Sequence, residues 1–438
     1  MSKVNMMSAK DKKKGSLVPR LRFPEFNGEW RSQPLGELAF IIKEKAGDRK
    51  CILMSIMSGV GLIPQIDKFG KEIAGQQYKN YIILHKNDFA YNKSSTKEYP
   101  EGFIAMYIGT EIAAVPNSIF TCFKIKVADI AHLYLNYLFL YNFHGKYLKR
   151  YITIGARSHG ALAIDDADLL SLPIPYPTGN TSFKEQQRIA DCLSSLDERI
   201  AAETNKLDAL KAHKKGLLKQ LFPAEGETLP ALRFPEFWDA GEWKKADFGN
   251  IAKFLSGGTP SKDVCDYWGG DIPWISASSM HNIKIEKSDC NITKLAVSNG
   301  ARIAPKGTLL LLVRGSMLHK RILLGISEID VSFNQDVKAL VLNDDITELY
   351  LMYFLMASES KLLATVVQTG IGAGKLDTDD LNNFPIMMPS PTEQQRISNC
   401  LSSLDELITA QTQKIDLLKE HKKGLMQQLF PRIDEVRA

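Results

Sequence analysis

The chain has 438 residues, of which 44% are hydrophobic and 24% charged, with a formal net charge of +5. Those totals argue against a single core and fit a globular chain of two or more domains; the mildly basic balance permits an anionic partner without demanding one. Six cysteines without a CxxC or zinc-finger spacing, and no apolar run near bilayer length, point to packing roles and a reducing, cytoplasmic compartment.

In chain order, residues 1–20 read as a disordered basic tail with Lys10 and Lys12 to Lys14. The hexapeptide LRFPEF follows at 21–26. From Trp30 to Tyr176, short β-like runs (81–84, 119–125) alternate with turn signals and a helical stretch at 133–143, closing on LPIPYP at 172–177. Then comes EQQRIADCLSSLDERIAAETNKLDALKAHKKGLLKQLFP at 185–223, with apolar residues at alternating spacings of three and four: Ile189, Leu193, Leu196, Ile200, Leu207, Leu210. Ser182 and Glu185 fit a capping box, lysines crowd the last turns and Pro223 marks the stop.

The pattern then repeats. LRFPEF returns at 232–237, and a second mixed stretch runs from Trp243 to Met388, with β-like runs at 309–313 and 337–341, a helical stretch at 347–356 and FPIMMP at 384–389. EQQRISNCLSSLDELITAQTQKIDLLKEHKKGLMQQLFP at 393–431 lies at a constant offset of 208 residues from the first copy, with 28 of 39 positions identical. Its stripe is Ile397, Leu401, Leu404, Ile408, Ile415 and Leu418, with a second capping box at Thr392 and Gln395. Both stripes are interrupted at matching places, by Glu203 and Gln411 and then by Lys214 and Lys422.

The expected fold is an α/β (α+β) tandem. Two globular domains, 21–178 and 224–390, are separated by two long helices, 179–223 and 391–431, that pair antiparallel as a coiled coil about a pseudo-two-fold axis. Residues 432–438 form a C-terminal tail. A helix of this length would hold two domains at a fixed separation, as reading two separated DNA half-sites requires.

Catalytic motifs are missing from the wording of the chain. There is no [DNS]PP[YFW] motif for amino-methyl transfer. GIGAGK at 370–375 fails as a phosphate loop, because Thr369 stands where its first glycine belongs and Leu376 where a magnesium-binding hydroxyl belongs. Asp165/Asp166 and Asp379/Asp380 read as helix caps rather than a metal site, and the histidines lack metal-ligand spacing, so no metal is expected.

An α/β insert, a proline-marked strand and EQQRI opening a long helix that ends in LFP, all present twice, resemble the specificity subunit of a type I restriction–modification enzyme. GGTPSKDVCDYWGGDIPWISASSM at 257–280 adds to this, being similar to the start of many target-recognition domains in that family. The resemblance implies a non-catalytic subunit whose two inserts are target-recognition domains for an asymmetric bipartite site in double-stranded DNA. It also implies that the helices dock two methyltransferase subunits and recruit restriction/motor subunits, with S-adenosylmethionine, ATP and magnesium on those partners and no cofactor here. The rival reading is a coiled-coil scaffold whose inserts bind proteins or glycans.

DNA reading needs cations for phosphates and amide or hydroxyl groups for base edges. Candidates lie in loops at comparable places: Asn92, Lys93 and Ser94 against Arg314 and Ser316, with Lys320 and Arg321 just beyond; Arg157 and His159 against Lys375; and Ser276 and Ser278 after Trp274.

Overall fold

A computed structural model of the chain describes residues 17–432 apart from 58, 155–161 and 371. It divides into two compact units, residues 1–204 with 413–438 and residues 205–412. The divisions fall inside two helices of 39 residues each, Ser182–Gln220 and Pro391–Leu429. Each unit therefore owns one insert, the first half of the helix that follows it and the second half of the other helix. This differs from a segmentation in which the helices are blocks of their own. Leu17 and Val18 already pack against the core of the first unit, so the expected tail at 1–20 loses its last residues to that core.

Each insert is built on two sheets of four or five strands, besides shorter two- and three-stranded pairings. In the first unit, Ala39–Ile41, Phe120–Ile125, Phe89–Asn92 and Phe103–Met106 lie side by side in that order, and Gly61–Pro64, Ile52–Met57, Ala113–Val115 and Ile82–Leu84 form the other sheet. In the second, the larger sheet runs Ala252–Ser256, Val337–Leu342, Leu309–Leu312, Leu324–Ser327, Lys284–Ile285. The smaller runs Asn291–Ile292, Trp268–Ile275, Val331–Phe333, Ile303–Ala304. All four residues of Leu309–Leu312 are fully buried, which explains a leucine run with no polar alternation. The helices His132–Leu140 and Glu348–Ala357 are apolar on almost every side because each is buried in its core.

The proline-marked strands Pro173–Pro177 and Pro385–Met388 pair antiparallel with Trp30–Pro34 and Lys244–Asp247 in two-stranded ribbons, where a strand with missing N–H donors is tolerated. Tyr134 and Tyr350, on the buried helices, donate to the Pro175 and Met387 carbonyls at 2.6 Å in both cases. Each ribbon is thus tied to the helix behind it.

The EQQR and LRFPEF repeats lock together. Glu185 accepts from Arg22 at 2.7 and 2.8 Å and from the Trp30 indole at 3.3 Å; Glu393 accepts from Arg233 at 2.8 Å twice and from the Trp243 indole at 3.3 Å. The next residue clamps the insert. Gln186 accepts from the Ala131 N–H and donates to the Asp129 carbonyl; Gln394 does the same with Thr347 and Asp345. The arginine of the motif lies over the first phenylalanine of LRFPEF, Arg188 on Phe23 and Arg396 on Phe234. Finally the Leu21 and Leu232 N–H groups cap carbonyls at the ends of the helices, those of Gln428 and Gln220.

These contacts correct the expected capping boxes. Glu185 is taken by Arg22 and Trp30, and Ser182 donates to the Pro177 carbonyl, so neither closes a box. The second helix starts a residue earlier than Thr392, at Pro391, with Ser390 Oγ accepting from the Glu393 N–H. Asp165 does cap its short helix, but in the second unit that role falls to Asp377 rather than to Asp379 or Asp380.

Within the first unit the helix segments run antiparallel: Lys422 donates to Asp197 at 2.6 Å and Lys414 to Glu203 at 2.6 Å. Within the second, Lys214 donates to Asp405 at 2.6 Å. Lys214 and Lys422, which interrupt the apolar stripes, are therefore ion-pair clasps. The Tyr353 and Tyr137 hydroxyls donate to the same aspartates at 2.7 Å each, and burial together with that carboxylate holds both phenols protonated.

The stripe residues serve two partners. Ile189 and Leu193 join a core with Met426, Leu429 and Phe430, and Ile397 and Leu401 join one with Leu221 and Phe222. Leu207 and Ile415 are buried, while Leu196, Ile200, Leu210, Leu404, Ile408 and Leu418 are half-buried. Among the described residues no helix is long and apolar enough to cross a membrane, and no group of three or more potential ligands could hold a metal ion.

Candidate nucleic-acid interface

In the second unit five loops converge at the strand ends. The leucine strand continues into Val313, whose N–H donates to the Asp336 carbonyl at 2.8 Å and whose carbonyl accepts from Leu376 at 2.9 Å. Arg314–Gly315 then pairs with Gly374–Lys375, setting Arg314 opposite Lys375. Gly374 is required there, since a Cβ would meet Leu318 and Val366. The turn Ser316–His319 folds back, and its His319 ring N–H donates to the Gly372 carbonyl. The turn Ala277–Ser279 lies against Gly315 and is stiffened by a 2.9 Å contact between the Ser276 and Ser278 hydroxyls.

The two remaining loops, at 257–262 and 334–336, hold none of the contact candidates expected from the sequence. The Asn334 N–H donates to the Ile275 carbonyl, and its side-chain oxygen accepts from the Asp336 N–H at 3.1 Å, an Asx turn that places exposed Gln335 at its tip. The 257–262 loop packs on this turn. Gly257 has no room for a Cβ beside the Phe333 carbonyl, and Gly258 N–H donates to that same carbonyl. Thr259 Oγ donates to Gln335 Oε1 at 2.8 Å. Trp274 and Trp268, in edge contact at 5.4 Å, hold the loop through indole bonds to the Gly258 and Ser261 carbonyls. The only sequence cue to Gln335 was the Asn-Gln-Asp turn after a strand.

The electrostatics follow from these partners. Arg314, Lys320 and Arg321 are exposed and, among the described residues, have no carboxylate within ion-pair reach, so their charge is free to meet an anion. Lys375 differs. It bonds Asp377 at 2.7 Å and holds that carboxyl below its usual range, so its charge is partly neutralised.

The first unit repeats the scaffold of this end with other side chains. Lys93 N–H donates to the Ile119 carbonyl and Lys93 carbonyl accepts from Leu162, each at 2.8 Å, which makes Lys93 the counterpart of Val313. Ser94 then stands where Arg314 does, and exposed Ser118 where Gln335 does. Lys93 and Ser94 are half-buried, and Asn92 is buried with no partner for its side-chain oxygen among the described residues. Asn92 and Ser94 line a cavity of about 400 Å³ together with Lys68, Phe69 and Ile119. Arg157 and His159 lie outside the described residues.

The model of the type I restriction modification DNA specificity domain matches residues 27–212 and 240–420. The EcoR124I/EcoR124II specificity subunit of Escherichia coli is 30% identical over 246 residues, covering 55% of this chain and 57% of that protein. The MjaIX specificity subunit of Methanocaldococcus jannaschii is 31% identical over 202 residues, 45% of each chain. These matches thus span about half the length of either relative. The fold is shared with a chain from a type I R-M system described for its complex assembly and conformational transition (TM-score 0.58, 18% identity, covering 93% of this chain and 99% of that one). It is shared also with the type I S subunit from M. genitalium (TM-score 0.54, 15% identity, 94% and 99%). With the family domain matched twice over most of its length, the chain belongs to the type I restriction–modification specificity-subunit (HsdS) family.

Proposed function

We propose that this chain is the non-catalytic DNA-reading subunit of a type I restriction–modification complex. Each insert is a target-recognition domain for one half of an asymmetric bipartite site in duplex DNA. The paired helices space the two domains, dock two methyltransferase subunits and recruit restriction/motor subunits. S-adenosylmethionine, ATP and magnesium belong to those partners. The observation that carries this reading is that the two units share the arginine–glutamate–indole, glutamine and lysine–aspartate contacts of their frame and differ where their loops converge, Arg314 against Ser94 and Gln335 against Ser118. Exposed unpaired cations at such an end suit phosphate contacts, and rigidly held amides and hydroxyls suit base edges.

The test is modification mapping. The chain is co-expressed with its methyltransferase subunit in a methylation-free host, and methyladenine is located across the genome. A single motif of two different short blocks around a fixed unspecified spacer is expected. No new methylation from a complex shown to assemble would contradict DNA reading and favour a scaffold that binds proteins or glycans.

A further inference from the structure

Gln335 is an exposed amide at the converging loops whose side chain is already oriented. Thr259 Oγ donates to its Oε1 at 2.8 Å, and Thr259 sits on a loop anchored by Gly258 N–H and by two indoles. Its backbone is set by the Asx turn of buried Asn334, whose amide also reaches Asp336 at 3.2 Å. A free surface glutamine must give up side-chain entropy on binding, whereas this one has given it up on folding. The threonine bond uses one lone pair of Oε1. The second lone pair and both hydrogens of Nε2 stay available, the acceptor–donor pair that matches the N6 amine and N7 of adenine in the major groove.

We infer that Gln335 is a specificity-determining residue that reads one adenine of the half-site addressed by the second domain, with Thr259 as its positioning residue. This rests on the DNA-reading function above and goes beyond it by naming the residue and the base. Guanine presents two acceptors at those positions and cytosine a donor alone, so neither satisfies both groups of an amide held in this orientation. The first domain has Ser118 at this place, and its half-site is not read this way.

The test uses the full chain with its methyltransferase partner, comparing Gln335→Ala, Gln335→Glu and Thr259→Val by methylation mapping. Gln335→Ala is expected to relax a single adenine position in one half-site by roughly 10- to 100-fold, the worth of a bidentate base contact, leaving the other half-site unchanged. Gln335→Glu, which can only accept, is expected to move that position toward cytosine. Thr259→Val keeps the side-chain shape, and a smaller relaxation at the same position only is expected; a merely structural threonine would instead weaken methylation at all sites alike. The inference is overturned by an unchanged motif in Gln335→Ala, by equal loss across all sequences, or by a wild-type motif lacking an A·T pair in one half-site. A wild-type complex with no bipartite motif would sink the DNA-reading function itself, so the two failures are distinguishable.

Discussion

The frame and the loop ends of this molecule follow opposite rules. In the frame, Glu185 and Glu393 bind an arginine and an indole each, at distances that agree within 0.1 Å between units. At the loop ends the backbone bonds are kept, Lys93 to Ile119 as Val313 to Asp336, but the side chains are not. An internal duplicate thus separates two kinds of constraint. Where a side chain closes a buried polar network, both copies keep it, because an unpaired buried charge is expensive. Where only the backbone must hold a loop, the side chains are free to differ and to contact different things.

The largest expected effects come from breaking the frame. Glu185→Ala strips Arg22 and the Trp30 indole of their carboxylate, and Glu393→Ala leaves Arg233 with only the Gly241 carbonyl and takes the acceptor from the Trp243 indole; each should destabilise its own unit by about 3–5 kcal/mol. Hydrogen exchange read segment by segment measures this. Values for the two units that differ by more than about 1 kcal/mol would mean that the matching geometry hides unequal energetics.

Acid should separate the units next. His144 is fully buried in the first unit, donates among the described residues to the Gly102 carbonyl alone, and burial depresses it from 6.5 to about 4. The unfolded chain takes up that proton near pH 6.5 and the folded chain only near 4, so the stabilisation is complete above pH 6.5 and is lost as pH falls toward 4. The loss is about 3 kcal/mol. Among the described residues the second unit has no buried histidine, so the first should open earlier in an acid series followed by hydrogen exchange.

The clasps sharpen the comparison at smaller scale. Lys214 and Asp405 are 10% and 16% exposed, whereas Lys422 and Asp197 are 17% and 43% exposed. Lys214→Met should cost about 1–2 kcal/mol and Lys422→Met less than about 1 kcal/mol, since solvent screens the second pair. Equal losses in urea unfolding would show that exposure does not set the difference. The smallest effect on stability, within about 0.5 kcal/mol, is expected of Arg314→Ala. That variant should nevertheless weaken binding to the second domain's half-site and spare the preference of the first; equal loss of preference at both, in methylation mapping, would remove Arg314 from the interface.

Much of the frame was legible in the sequence because repetition marks it. The repeated EQQR and LRFPEF segments, the apolar stripes and the proline-marked strands all correspond to structure. Their partners were not legible, since an arginine at position 22 and a glutamate at 185 meet only through tertiary packing. For the same reason Glu185 looked like a cap, and Lys214 and Lys422 looked like breaks in a stripe. At the loop ends, the comparable apolar runs set the Asn92–Ser94 and Arg314 loops side by side, but it is Ser94 and not Lys93 that stands opposite Arg314; the Arg157 and His159 counterparts of Lys375 lie outside the described residues. Gln335 was not legible, because a turn built on Asn334 leaves only a faint local pattern, and Thr259, although inside the 257–280 segment, gains its role only from tertiary contact with Gln335.

The most direct test of the shared frame with divergent readers is an insert exchange. Residues 244–388 are replaced by a second copy of residues 31–176, leaving both long helices and both LRFPEF segments in place, and the chimera is mapped for methyladenine with its methyltransferase partner. The account expects the first domain's half-site to appear twice and the second to vanish. Persistence of the original second half-site would show that the helices or linkers read the DNA, and would contradict it.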